Sequence, residues 1–126
     1  MKRIAFPSTR LIAAGAAILL GTAAAFAGQP DEAGRAIIKN NLKTQLSVPG
    51  SLTIMHVDVT KANDKGLQTA CGWFISKDAS GGLEQPRAFA MSYFASANLA
   101  QIHIIGNTAA DVQTIRAFCK EQGIDF

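Results

Sequence analysis

Apolar residues recur at helical spacing from Ala33 to Leu46, with Ile38, Leu42 and Leu46 in one row and Ile37 beside them. Lys39, Asn40 and Lys43 fall on the opposite side. Gln29-Pro30-Asp31-Glu32 supplies the start of this helix, because proline and acidic residues suit the first turn. Pro49-Gly50 stops it. The period then changes to two. Leu52 to Thr60 alternates, with Met55, Val57 and Val59 on one face and Ile54, His56 and Asp58 on the other. The turn cluster Ala62–Gly66 leads into Leu67–Ser76, where Leu67, Thr69, Cys71, Trp73 and Ile75 share a face.

A polar, glycine-rich stretch from Lys77 to Pro86 separates this hairpin from a third strand, Arg87–Phe94, with Phe89, Met91 and Tyr93 on one face. Ala95–Asn98 turns the chain into a fourth strand, Leu99–Ile105, on which Ile102 and Ile104 align. Thr108-Ala109-Ala110-Asp111 resembles a capping box ahead of a second helix, whose Val112, Ile115 and Cys119 form a stripe. Gly123 suits the position just past its end. The order α-β-β-β-β-α predicts an α+β domain over residues 28–126. Its four strands form an antiparallel meander, with two amphipathic helices packed on one face. Trp73 is expected in the core. Phe74, on the other face of its strand, is expected as an exposed contact residue.

Composition and charge narrow the function classes. Of 126 residues, the first 27 hold Lys2, Arg3 and Arg10 and no acidic residue. The remaining nine Lys/Arg balance the nine Asp/Glu, so the pI of 9.1 comes from the N-terminal segment. A balanced domain lacks the cation surplus that drives nucleic-acid binding, so no nucleic-acid partner is expected. The basic start, the apolar run Leu11–Leu20 and the A-x-A site Ala25-Phe26-Ala27 read as a secretory signal peptide over residues 1–27. The expected location is periplasmic or secreted, with no membrane association after cleavage.

Cys71 and Cys119 are the two cysteines, and in an exported chain such a pair predicts a disulfide. Both lie on expected inward faces, so the bond would pin the last helix to the sheet. No C-x-x-C redox motif is present, and His56 and His103 lack metal-ligand spacing. No metal and no cofactor is therefore expected.

The stretch Leu46–Phe89 resembles a group of small exported bacterial proteins of unknown function. The shared pattern is an L-x-D-P-x-S turn, a strand, C-G, then K-N-x-x-G-G and an aromatic strand. Here the turn reads Val48-Pro49-Gly50-Ser51, Cys71-Gly72 matches, and Lys77-Asp78-Ala79-Ser80-Gly81-Gly82 carries Asp for Asn. Leu83 stands where an aromatic residue is usual. The resemblance implies an exported globular domain.

The candidate binding loop comprises Phe74, Lys77, Asp78, Ser80, Gly81, Gly82, Glu84 and Arg87, which concentrate charge and backbone donors. Ser80-Gly81-Gly82 has the composition of a backbone anion nest. Ser92 and Ser96 lack the G-x-S-x-G nucleophile elbow. The leading expectation is a binding or interaction module for a protein or small anionic ligand in the cell envelope, with no catalytic residue assigned. The alternatives are a small hydrolase using His56 with Asp58, and an inhibitor that offers residues 77–86 to an exported enzyme.

Overall fold

The computed structural model describes residues 27–126. Helix α1 spans Glu32–Lys43, strands β1 to β4 span Thr53–Val59, Leu67–Ile75, Arg87–Phe94 and Leu99–Gly106, and helix α2 spans Ala109–Glu121. The strands form one antiparallel sheet in the order β1-β2-β3-β4, the expected α+β meander. The expected export segment lies outside the described residues, apart from Ala27. Gly28 exchanges both backbone hydrogen bonds with Val59, at 2.9 and 2.7 Å, and so covers part of the outer edge of β1.

Each helix begins where a short polar side chain satisfies free amides. Asp31 is the N-cap of α1 and accepts from the Gly34 N–H at 2.8 Å. Thr108 caps α2 by accepting from the Asp111 N–H at 3.1 Å. Helix α1 ends at Lys43, before the Pro49 stop, because Thr44, Gln45 and Leu46 already bend into tighter bonds to the carbonyls three residues back. The left-handed Gly123 closes α2, and the Ile124 N–H reaches back to the Cys119 carbonyl at 2.9 Å.

The helices pack on opposite faces of the sheet, and this corrects the expectation that both lie on one. Ile37, Ile38 and Leu42 of α1 meet Val57, Val59, Ala70, Phe74, Phe89, Met91 and Tyr93. Ile115 and Cys119 of α2 meet Cys71, Ala88 and Ala90. Cys71 and Phe74, and likewise Ala88 and Phe89, point to opposite sides by the period of two. On β3 the α1 face carries Phe89, Met91 and Tyr93, whereas the α2 face carries Ala88 and Ala90. The disulfide joins Cys71 to Cys119 as expected, with both cysteines fully buried.

Two further expectations change for the same reason. Phe74 is fully buried under α1, not an exposed contact residue. Trp73, on the α2 face, is only half-buried and packs beside Phe126 at a ring separation of 6.0 Å. Met55 does not share a face with Val57 and Val59. The register shifts between Ile54 and His56, which makes Met55 an extra residue in the β1 ladder and leaves it 56% exposed.

Candidate functional site

The loop between β2 and β3 is built around the carboxylate of Asp78. Its Oδ1 accepts from the Ser80 N–H at 3.0 Å, the Ser80 hydroxyl at 2.6 Å and the Gly82 N–H at 2.9 Å. The Asp78 carbonyl accepts from the Gly81 N–H at 3.0 Å, and the Asp78 N–H donates to the Gly82 carbonyl at 2.8 Å. Gly81 sits at φ +91°, a conformation that side chains disfavour. The nest expected from Ser80-Gly81-Gly82 is thus filled by the loop's own anion. These bonds, led by that of the Ser80 side chain, hold the Asp78 carboxyl below its ordinary value of 3.8.

Both ends of the loop are tied to the scaffold. The Lys77 N–H donates to Ser51 Oγ at 2.8 Å, and the Ser51 hydroxyl donates to the Val48 carbonyl at 2.6 Å. The turn Val48–Ser51 therefore braces the loop from outside the sheet. At the other end, Arg87 Nη2 donates to Ser76 Oγ at 2.9 Å and Glu84 Oε1 at 3.0 Å. Its guanidinium also lies 4.9 Å from the centre of the Phe74 ring. Phe74, Glu84 and Arg87 thus serve the loop from beneath. Lys77 and Leu83 remain outward, Leu83 at 67% exposure. Leu83, Glu84, Gln85, Arg87 and Asn107 line a shallow depression of about 410 Å³.

Asp78→Ala is expected to leave the melting temperature nearly unchanged. It should accelerate amide exchange at Ser80 and Gly82 and proteolysis near Gly81. The pH dependence has a definite sign. A carboxyl depressed in the folded loop orders it fully above the unfolded pKa and loses that contribution as pH falls through the folded one. Exchange at Ser80 and Gly82, corrected for its intrinsic pH dependence, should therefore show rising protection factors up to about the ordinary carboxylate range and a plateau above it. Flat protection from acid to neutral pH would refute the role given to Asp78.

The histidines stand apart. His56 Nε2 lies 2.9 Å from Asp58 Oδ2 on β1, with the imidazole half-exposed. His103 is on β4, three strand spacings away, or roughly 14 Å. No group of three or more potential metal ligands occurs among the described residues. His103 has a different neighbour that the sequence reading missed: its Nε2 lies 2.8 Å from Ser92 Oγ on β3. Their separation of 11 residues carries no motif, and only the β3–β4 register joins them.

Among the described residues no helix is long and apolar enough to cross a membrane. The chain matches no family model, no curated protein and no solved structure.

Proposed function

We propose that this chain is an exported binding module that presents the loop from Lys77 to Arg87 to a protein partner in the cell envelope. The single observation that carries the reading is the closure of the loop on Asp78. A loop ordered before binding loses less conformational entropy in a complex, so its exposed Lys77 and Leu83 can contribute more of their interaction energy to affinity. A protein surface fits this loop better than a small anion, because the N–H groups of Ser80, Gly81 and Gly82 are already engaged. The buried disulfide and the N-terminal signal pattern support an extracytoplasmic location. The loop's internal bonding also favours the second reading, an inhibitor offering the same residues to an exported enzyme.

The test compares two double variants in affinity capture from periplasmic extract. Lys77→Ala with Leu83→Ala should abolish recovery of any partner retained by the wild type. His56→Ala with His103→Ala should retain it, and both variants should fold. Loss of the partner with the histidine variant alone would reject the loop.

A further inference from the structure

We propose that Ser92 and His103 form an acyl-transfer pair that cleaves small esters with an apolar acyl group. The pair belongs to a different part of the sheet from the binding loop. Ser92 follows Ala90 on the α2 face of β3, one step beyond the buried Ala88 and Ala90. It is half-buried rather than covered. His103 reaches it through a β-bulge. The register between β3 and β4 pairs Met91 with Ile102 but Ala90 with Ile104, leaving His103 as the extra residue. In a regular ladder His103 would sit opposite Ala90. Instead Ile104 takes that place and packs against the α2 cluster, and His103 leans to Ser92. The Phe118 ring of α2 packs against the imidazole, with ring centres 5.2 Å apart.

Nucleophile and base are therefore at working distance. Next to them is a cavity of about 300 Å³ lined by Leu67, Ser92, Phe94, Leu99, Ala100 and Gln101. Leu67, Phe94 and Leu99 are cross-strand partners and form a continuous apolar row, which suits a short acyl chain or an aryl group. Gln101 pairs with Ser92 across the strands, which brings its amide to the same face as a donor for a developing oxyanion.

The reaction balances without a cofactor. Ser92 Oγ forms a bond to the ester carbonyl carbon while its proton passes to His103 Nε2. The tetrahedral intermediate collapses by breaking the bond to the leaving alcohol, which takes the proton back from His103. Water then adds to the acyl group on Ser92 by the same route, releasing the acid and restoring the serine.

The test incubates the purified, disulfide-bonded chain with p-nitrophenyl butyrate and separately with a fluorophosphonate probe. Hydrolysis above buffer is expected, with a phosphonyl adduct mapped to the peptide carrying Ser92. Ser92→Ala and His103→Gln should each lower hydrolysis by about 100-fold, the usual scale of a positioned acid–base group. Phe94→Ala should raise KM for p-nitrophenyl butyrate more than for p-nitrophenyl acetate, assayed in parallel. Activity that survives Ser92→Ala would assign the reaction to exposed imidazole and overturn the proposal. So would the absence of a Ser92 adduct in protein whose circular dichroism is native. Neither the Ser92–His103 pair nor its cavity includes a residue of the Lys77–Arg87 loop, so failure here does not bear on the binding reading.

Discussion

Cys119→Ala is expected to lower the free energy of unfolding by about 2–4 kcal/mol, a large share of the total for a small domain. The bond closes a loop of 48 residues and removes chain entropy from the unfolded state, for which the loop model gives about 4 kcal/mol. The native side makes the loss heavier for α2 than for the rest. Helix α1 is held by Ile37, Ile38 and Leu42, three large buried side chains. Helix α2 buries only Ile115 and Cys119 within its own span, helped by Ile124 just beyond it. Half of its buried anchoring within the helix is thus a sulfur atom bonded to the sheet. Urea unfolding should show a lower midpoint for Cys119→Ala, and Cys71→Ala should match it because the same bond is lost. Hydrogen exchange should rise first in Ala109–Glu121 while β2 and β3 stay protected. A variant with the midpoint of the oxidised wild type would show that the helix docks without its disulfide.

That asymmetry between the helices also explains which features of the fold were readable. The element order and the meander follow from periods and turn residues that act locally, and the cysteine pairing follows from there being only two cysteines to join. The assignment of helices to faces does not. Ala88, Phe89, Ala90 and Met91 are buried in succession, and continuous burial in the middle strands means that both faces are covered. In the sequence this signal is masked by size: beneath α2 strand β3 presents Ala88 and Ala90, which also occur on half-open surfaces, whereas beneath α1 it presents Phe89 and Met91. Reading the small residues as one face and the large ones as another captures the alternation, but not that each face receives its own helix. The burial of Phe74 likewise depends on which helix covers its face.

The candidate site divides in a similar way. Asp78, Ser80 and Gly82 fall within one turn, and carboxylate-to-amide bonding two to four residues ahead follows from Asx chemistry. The brace from Ser51 to Lys77 spans 26 residues and depends on how the turn after α1 packs. The pairing of Ser92 with His103 depends on a bulge, which inserts a residue without altering composition or period enough to reveal itself.

A second large effect is expected at Gly72, the residue after the bonded cysteine. It pairs with Val57 on one side and Phe89 on the other, in the middle of the sheet. A Cβ placed there would fall onto the carbonyl oxygen of His56, 2.9 Å from the Val57 Cα and 3.0 Å from the His56 carbonyl carbon. Those atoms are backbone, so no side-chain rotation relieves the clash. The extra residue Met55 lies just upstream in β1, and a bulge increases local twist; the close approach of β1 to β2 is consistent with that distortion. Gly72→Ala must therefore push β1 outward, breaking contacts of Val57 and Val59 with the α1 core. The expected cost is about 3 kcal/mol, the upper part of the range for overpacking. For a domain of this size that is a fall in Tm of at least about 12 °C. Amide exchange should rise along Thr53–Val59 before it rises in β3. Gly50→Ala is the control, since its Cβ would meet nothing within 4 Å, and it should melt within about 2 °C of the wild type. Equal melting temperatures for the two variants would mean that β1 is not held against Gly72 in solution.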